Sequence, residues 1–292
     1  EGEGEEEVPQ SRGPKIDKKK VLLELSRMLK NVRNARRLAA WAITKARVPL
    51  IKVTDHSTGV CCDISMESDL SVHKSAFLRS YVKIDPRFRE LLALIKCWAK
   101  ARNINDAMSH TLNSFAYTLL VIQFLQTREP PILPCLHAET IENKGVVAKL
   151  PPACTVIGGL EIRYHGCDGP QGDAVDFLVG YGEANKSTVQ ELLLGFFHFV
   201  AREVNLTKQC VCVREGRVKV ANKAIFKHKH SAVMCVEDPF DETDNVARSV
   251  TDQSAKRIFT EFWRARQIAL STGDMQAICT PALSAKEATD RE

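Results

Sequence analysis

The sequence predicts an α+β fold, with a strand-containing segment up to about residue 70 and a mainly helical region after it. Two strand-like segments lie between Trp41 and Met66, where Val, Ile and Thr are frequent. From Ser68 onward, apolar residues recur at the spacing of helical faces. Strands and helices do not alternate along the chain, so the sequence does not predict a parallel sheet built from βαβ units.

The strand-like region predicts a β-hairpin. Trp41–Asp55 is typical of extended chain, with Pro49 favouring an edge position. His56–Gly59 predicts a turn, and Val60–Met66 predicts the second strand. Asp63 therefore lies on a strand between apolar residues. Such a carboxylate either faces solvent or is bound by a cation, because burying an unpaired charge is costly.

Amphipathic spacing predicts the helices. One helix is predicted over Val21–Leu29, and another begins with the capping pattern Ser249–Asp252. The apolar positions of the other predicted helices are Phe88, Leu91, Leu92, Ile95 and Ala99; Phe115, Leu119, Ile122 and Leu125; and Val189, Leu192, Leu193, Phe196, Phe197 and Val200. Residues 128–185, rich in Pro and Gly, are expected to form long loops, Val211–Ile225 a hairpin, and the tail after Gly273 a frayed end.

Composition limits the classes of protein to which the chain can belong. The formal charge of +5 on 292 residues does not by itself indicate a nucleic-acid partner, because RNA binding needs clustered charge. Ten scattered cysteines are typical of a reduced intracellular protein, and both cytoplasm and mitochondria fit. No run approaches the ~18 apolar residues of a membrane span, so no membrane association is expected. Residues 1–19, rich in Glu and Gly and then in Lys, are expected to be a disordered tail or a loop.

Several polar positions are candidates for nucleotide chemistry, and each has a simpler structural interpretation. Lys96 and Lys100 lie one turn apart on one helix face, where they either hold an anion such as a triphosphate or form a solvated surface. Ser114 and Phe115 begin the next helix; hydroxyl and amide groups there suit phosphate, and the ring is either core or a stacking surface for a base. Residues 237–241 form an acidic turn whose carboxylates either read the N–H groups of a base or cap the local backbone.

Two short Cys and His patterns are compatible with a zinc site. Cys210-x-Cys212 and His228-x-His230 each place a pair of ligands on one face of a strand, but their spacing matches no common zinc finger. The sequence contains no Walker A loop, no GxSxG, no HExxH and no dinucleotide-binding glycine pattern. These classes of enzyme and nucleotide-binding protein are therefore disfavoured.

Seven short sequence blocks follow one another in an order that is more specific than any one of them. The chain resembles the terminal uridylyltransferases and non-canonical poly(A) polymerases, within the DNA polymerase β-like nucleotidyltransferases. The resemblance covers about residues 20–270, and Asn185–Val200 is similar to the PAP-associated segment of that family. The ordered blocks are Val48-Pro-Leu-Ile-Lys, Cys62-Asp-Ile-Ser, Asp85-Pro-Arg, Ile95-Lys-Cys-Trp-Ala-Lys, Thr111-Leu-Asn-Ser-Phe-Ala-Tyr, Pro130-Pro-Ile-Leu-Pro and Glu237-Asp-Pro-Phe-Asp.

The resemblance implies a catalytic palm that faces a helical central domain. The expected ligands are a nucleoside triphosphate, a single-stranded RNA 3′ end and two Mg²⁺ (or Mn²⁺) ions. In this chain, residues 20–70 would be the remainder of the palm and residues 71–272 the central domain. The PAP-associated segment would lie at about 185–245, and a tail would follow at 273–292. The implied activity is template-independent addition of UMP from UTP to RNA 3′ ends, with ATP-dependent poly(A) synthesis as the alternative.

The resemblance also implies roles for individual residues. Asp63 matches the third metal-binding carboxylate of the palm, the one that binds the metal at the attacking 3′-OH and helps to deprotonate it. The nucleotide-binding positions are Lys96 and Lys100 for the triphosphate, Ser114 for a phosphate, Phe115 for stacking on the base, Ser75 near the ribose, and Asp238 and Asp241 for the uracil edge, Asp241 replacing the more usual Glu.

Three departures from the family pattern bear on function. Lys74 stands where an Asn often meets the ribose 2′-OH. Asp244 stands where many UTP-preferring members have His, which donates to uracil, whereas a carboxylate instead accepts from the amine of ATP. Upstream of Val21 there is no Gly-Ser and no Asp-x-Asp, and one Asp cannot assemble a two-metal site.

Two explanations of the missing pair stay open. In the first, the pair precedes these residues in a full-length enzyme, and the 292 residues alone bind nucleotide weakly and do not catalyse. In the second, the chain is a non-catalytic relative that binds RNA or a protein partner.

Overall fold

The computed structural model describes residues 17–31, 38–45, 49–66, 69–168, 173–227 and 232–281. The fold is α+β, as the sequence predicts. The chain forms two compact units that divide between Val72 and His73. In the residues described, no helix is long and apolar enough to cross a lipid bilayer.

The first unit consists of one helix packed on a small antiparallel sheet. Its elements are α1 (Lys18–Asn31), β1 (Leu38–Ile43), β2 (Leu50–Asp55) and β3 (Cys61–Ser65). The strands are hydrogen-bonded in the order β1-β2-β3. Leu22 on the helix is fully buried with Ala40 and Ile51 on the strands, so the apolar face of α1 covers one face of the sheet.

The predicted hairpin is confirmed as β2 and β3, and the prediction for the chain before it is corrected. Trp41–Asp55, predicted as one extended segment, contains the end of β1 and all of β2, and residues 46–48 between them lie outside the described residues. The predicted tail or loop at 1–19 is described only from residue 17 onward. Helix α1 begins at Lys18, so the last residues of this segment are helical. Asp63 faces solvent on β3, opposite Lys52 in the register of the sheet.

The second unit is mainly helical. Its α-helices are α2 (Asp69–Ile84, which starts in the first unit), α3 (Pro86–Ala101), α4 (Ser114–Gln126), α5 (Val189–His198), α6 (Asp252–Ser271) and α7 (Met275–Cys279). Trp98 on α3 is in edge-to-face contact with Phe197 on α5 and Phe262 on α6, at ring-centroid distances of 4.9 and 4.8 Å. This buried aromatic contact joins three helices and fixes the position of α3.

The helix predictions hold, with two corrections at the C-terminal end. Helix α6 is capped by Thr251, whose hydroxyl accepts from the backbone N–H of Ser254, two residues after the predicted start. The region after Gly273 is not wholly frayed, because Asp274 caps the short helix α7. Residues 282–292 lie outside the described residues.

Residues 128–185 are more ordered than the sequence predicts. They contain the hairpins β4 (Thr140–Asn143) with β5 (Val146–Lys149) and β6 (Thr155–Ile157) with β7 (Leu160–Ile162), and the 3-10 turns Asp173–Leu178 and Tyr181–Ala184. Strands of three or four residues are too short to show an alternating pattern. The turns depend on left-handed glycines, Gly145 (φ 82°) and Gly159 (φ 84°).

The hairpin predicted over Val211–Ile225 is confirmed as β8 (Gln209–Cys212) and β9 (Arg217–Val220). A short third strand, β10 (Cys235–Val236), pairs in parallel with β8. The chain leaves β10 directly into the acidic turn, so this small sheet determines where that turn begins.

The Asp85-Pro-Arg motif fixes the start of α3. Asp85 is the N-cap, and Arg87 pairs with it through Nε at 2.9 Å and Nη2 at 2.6 Å. Arg87 also donates to the backbone carbonyls of Gly182, Asn185 and Ser187 at 2.7–3.0 Å. One guanidinium therefore ties α3 to the segment that precedes α5.

Candidate functional site

The two candidate triphosphate lysines lie on the solvent side of α3. Buried Ile95, Trp98 and Ala99 turn one face of this helix into the core, which leaves Lys96 half-buried and Lys100 exposed. In the described part of the chain, neither lysine has an acidic partner within ion-pair distance. Two unpaired cations at i, i+4 repel each other mildly, so an anion bound between them would be stabilising.

Ser114 and Phe115 open α4, which packs against α3. Asn113 caps the helix by accepting from the backbone N–H of Ala116 at 2.8 Å. The hydroxyl of Ser114 is exposed and within hydrogen-bond distance of the Asn105 side chain, at 3.1 and 3.3 Å. The residues after Phe115 are buried up to Leu125, so the first turn is the part of this helix that presents polar groups.

Side-chain hydrogen bonds hold the start of α4 against the segment that follows the acidic turn. The side-chain amide of Asn113 donates to the carbonyl of Val246 at 3.1 Å. Ser249 donates through its hydroxyl to the carbonyl of Thr111 at 2.8 Å. These two bonds bring together segments that are more than 130 residues apart in sequence.

Lys74 joins the acidic turn to α4. It lies on α2, its ammonium forms an ion pair with Asp238, and its Nζ lies 5.0 Å from the centroid of the Phe115 ring. Only 2% of the Asp238 side chain is exposed, whereas 22% of the Lys74 side chain is. The structure therefore brings two of the predicted base-binding residues, Phe115 and Asp238, together through a third residue. Ser75 follows Lys74 on α2 and is exposed.

The two other carboxylates predicted to meet the base, Asp241 at the end of the turn and Asp244 three residues later, are also paired with cations. Asp241 accepts from Lys227 Nζ at 2.6 Å and from the Thr243 backbone N–H at 3.1 Å. Burial opposes ionisation of Asp241, but these hydrogen bonds outweigh it and hold its pKa below the ordinary value. Asp244 accepts from Arg248 Nη1 at 2.7 Å. Each carboxylate predicted to read a base therefore already has a cationic partner.

Glu237, the first acid of the turn, has a structural environment that the sequence does not reveal. Its side chain is 1% exposed, accepts from the Cys212 thiol at 3.0 Å and lies 2.9 Å from Lys219 Nζ. This buried carboxylate ties the turn to the β8–β9 hairpin. Of the cation partners, only Arg248 has a recognisable sequence signal, since it stands four residues after Asp244.

A polar cavity of about 240 Å³ borders Phe240, and no sequence signal pointed to it. His137, Arg163 and Arg214 contribute polar side chains to its wall. His137 packs against Phe240 at a ring-centroid distance of 5.8 Å, and both of its ring nitrogens are buried without a hydrogen-bond partner among the described residues.

The zinc interpretation gains no support from the described residues. Cys210 and Cys212 are buried on β8, and burial together with the Glu237 carboxylate raises the pKa of Cys212 to about 12, which disfavours the thiolate that binds zinc. His228 and His230 lie outside the described residues. Among the residues that are described, no group of three or more His, Cys, Asp or Glu side chains is arranged to hold a metal ion.

Two family models match separate parts of the chain. Residues 5–83 match the central palm domain of mitochondrial-like poly(A) RNA polymerases. Residues 188–244 match the Cid1 family of poly(A) polymerases. The first match ends on α2, and the second runs from the cap of α5 to Asp244.

Similar proteins carry both polymerase and uridylyltransferase names. Poly(A) RNA polymerase cid13 of Schizosaccharomyces pombe is 30% identical over 82% of this chain and 39% of its own length. Poly(A) RNA polymerase GLD2-A of Xenopus laevis is 31% identical over 76% of this chain and 40% of its own. Terminal uridylyltransferase 7 of Homo sapiens is 29% identical over 87% of this chain and 16% of its own. The chain thus spans less than half the length of these relatives.

Solved structures share the fold. A cytoplasmic RNA terminal U-transferase superimposes with a TM-score of 0.72 at 25% identity, over 91% of this chain and 78% of that one. A Cid1 poly(U) polymerase H336N mutant bound to MgATP superimposes with a TM-score of 0.69 at 25% identity, over 90% of this chain and 76% of that one.

Proposed function

The chain belongs to the family of terminal RNA uridylyltransferases and Cid1-type poly(A) polymerases, and from this premise we propose that it carries the nucleotide-binding part of an enzyme that adds UMP to RNA 3′ ends. The proposed roles are divided between the two compact units of the chain. The first unit carries Asp63, and the second carries the residues for the base and the triphosphate. The RNA 3′ end is the proposed acceptor, and no template is required.

The contact among Lys74, Phe115 and Asp238 is the observation that carries this proposal. An aromatic ring beside a buried carboxylate and an ammonium provides a stacking surface together with hydrogen-bonding groups, which is what recognition of a single base needs. Ser114, adjacent in sequence to Phe115, offers a hydroxyl at the start of a helix of 13 residues, where phosphate is favoured.

In the proposed reaction, the RNA 3′-oxygen forms a bond to the α-phosphorus of UTP. The bond from that phosphorus to the bridging oxygen breaks, and pyrophosphate leaves. Lys96 and Lys100 would compensate the negative charge of the β- and γ-phosphates and orient the leaving group, because ammonium groups bind phosphate oxygens by charge-assisted hydrogen bonds. Asp63 is the proposed partner of the 3′-hydroxyl proton.

The described residues do not make a metal site by themselves. Asp63 is exposed on β3, and it is a single carboxylate without a second or third ligand among the described residues. Mg²⁺ or Mn²⁺ therefore stays a prediction from the family resemblance, and so does the Asp-x-Asp pair that would complete the set.

ATP is the second candidate substrate, because two of the relatives described above are named poly(A) RNA polymerases. The sequence argument for ATP is Asp244, a carboxylate able to accept from an exocyclic amine. Arg248 already donates to one oxygen of that carboxylate, which reduces its capacity for a base. UTP is therefore the preferred proposal.

The test is incubation of the full-length gene product with a 5′-labelled single-stranded RNA and each nucleoside triphosphate in turn, in Mg²⁺ and in Mn²⁺. We expect a ladder of added residues with UTP. A ladder with ATP and none with UTP would select the second candidate. The absence of addition with all four nucleotides would refute an enzyme and favour a binding relative.

A further inference from the structure

A surface formed by α6 and the chain that follows α5 carries two arginines on one aromatic ring. Arg202 and Arg266 both lie against Trp263, with their guanidinium carbons 4.3 and 5.6 Å from its ring centroid. Arg202 is exposed, and the two other residues are half-buried. We call these three residues the arginine–tryptophan surface. The two distances add to about 10 Å, so the guanidinium groups are no farther apart than that.

The local fold holds these groups in place. A π-helical turn, Phe199–Glu203, continues α5 and carries Arg202. Turns of this type are rare and occur frequently at functional sites. Arg266 lies on α6, and its Nε donates to Nδ1 of His198 at 3.1 Å. The stack on Trp263 and the bond to His198 restrict the two side chains in advance, which lowers the entropic cost of binding a ligand.

Neither arginine of this surface has an acidic partner within ion-pair distance among the described residues. The adjacent acid, Glu203, is paired with Arg128, whose Nη2 lies 2.9 Å from the carboxylate. A guanidinium has five N–H donors, and stacking on an aromatic ring uses its face rather than these donors. Two cations on one ring, with donors left for a ligand, favour a molecule with repeated negative charges.

Single-stranded RNA fits the arginine–tryptophan surface better than an acidic peptide does. Its phosphates supply repeated charges for the N–H groups of the two guanidiniums. Its bases can also stack on the outer face of Arg202 and on the exposed part of Trp263. An acidic peptide offers the charges without the stacking groups.

The arginine–tryptophan surface is connected to the candidate nucleotide site through α4. Phe199, in the π-helical turn, packs on Phe124 near the end of α4 at a ring-centroid distance of 5.6 Å. Phe115 lies at the start of the same helix, and its 13 residues rise by about 20 Å. The surface is therefore separate from the nucleotide site, and a strand of several nucleotides is needed to reach both.

We propose that the arginine–tryptophan surface is a second RNA-binding site, which binds the acceptor strand upstream of its 3′ end. This proposal rests on the proposed function, because RNA is the acceptor there. Contacts to phosphates carry no sequence information, so the surface raises the affinity for long RNAs of any sequence.

The experiment measures binding of a labelled single-stranded RNA by fluorescence anisotropy over a series of salt concentrations. The RNA has about 20 nucleotides, more than the roughly 4–16 of common single-strand sites. The proteins are the full-length gene product, Arg202→Gln with Arg266→Gln, and a control double variant. The control, Lys149→Gln with Lys186→Gln, removes the same charge at two exposed positions and should bind like the wild type.

Loss of two phosphate contacts should reduce the slope of log affinity against log salt concentration by about 1.4, since each contact on a single strand contributes about 0.7. The arginine double variant should therefore bind about 25-fold more weakly than the wild type at about 0.1 M salt, and almost equally at about 1 M. Thermal unfolding checks the fold of each variant. Arg202→Gln alone, at an exposed position, should reduce the slope by about 0.7 and serves if the double variant does not fold.

A kinetic measurement gives a second readout. The wild type should have a lower KM for the RNA of about 20 nucleotides than for one of about 4, and the arginine double variant should lose most of that difference. Equal affinity and equal salt slope in the wild type and the arginine variants would overturn the inference. Displacement of the RNA by polyglutamate of equal charge, as effective as by unlabelled RNA, would also overturn it. A wild type that adds no nucleotide would refute the proposed function alone, because RNA binding is measured without catalysis.

Discussion

Acidification should destabilise the second unit through one buried histidine, His137. Its ring packs against Phe77, Tyr164 and Phe240 at centroid distances of 5.3, 6.3 and 5.8 Å. Both ring nitrogens are buried without a hydrogen-bond partner among the described residues. Burial, with the nearby charges of Arg214 and His165 adding to it, lowers the pKa of His137 to about 3.

The magnitude follows from the difference between the folded and unfolded states. An unfolded histidine has a pKa of about 6.5, so between that value and about 3 the unfolded chain binds a proton that the folded chain does not. Stability therefore falls as the pH decreases below about 6.5, by roughly 1.4 kcal/mol for each pH unit. At pH 5 the loss from His137 alone is about 2 kcal/mol.

The assay is urea unfolding at pH 7.5 and pH 5 of the wild type, of His137→Phe and of His56→Gln. Phe fits the aromatic surroundings and does not titrate, so His137→Phe should lose about 2 kcal/mol less on acidification than the wild type does. His56 is exposed, and its replacement should leave the pH dependence unchanged. Equal losses for the wild type and His137→Phe would refute the reasoning.

Two further predictions concern the helix that carries the candidate triphosphate lysines. Gly182→Ala should destabilise the protein by roughly 1–3 kcal/mol in urea unfolding, because a Cβ there would lie 2.5 Å from the Asp85 carboxylate and 2.7 Å from a backbone carbonyl oxygen. Unchanged stability would show that the contacts of Arg87 with Asp85 and Gly182 accommodate the extra atom. Lys96→Ala together with Lys100→Ala should weaken binding of UTP by at least about tenfold without changing the melting temperature, since each lysine loses a charge-assisted contact. If calorimetry gives the double variant the same affinity for UTP as the wild type, neither lysine contributes to UTP binding.

The elements that the sequence predicts well are those with a long periodic signal. The apolar positions of α3 and α4 extend over three or more turns, and the Glu215-Gly216 turn marks the β8–β9 hairpin. The hairpins within residues 140–162 escape prediction because their strands have three or four residues and depend on turn glycines. The sequence prediction joined the end of β1 and all of β2 into one extended segment, because both strands are rich in apolar residues.

The candidate site divides in the same way. The sequence predicts the candidates on α3 and α4 because the two members of each pair lie within one turn of one helix. The pairs are Lys96 with Lys100, and Ser114 with Phe115. The contact between Lys74 and Asp238 joins positions 164 residues apart, and no local pattern encodes it. The family resemblance implies that Lys74 stands in place of an Asn, and only the fold reveals which groups its ammonium contacts.

The most direct test of the account is a crystal structure of the protein with a non-hydrolysable UTP analogue. We expect the uracil ring stacked on Phe115, next to Lys74 and Asp238. The β- and γ-phosphates should lie within reach of Lys96, Lys100 and the Ser114 hydroxyl. Analogue bound elsewhere, for example in the cavity beside His137, with Phe115 and the lysines uncovered, would contradict the assignment of the nucleotide site.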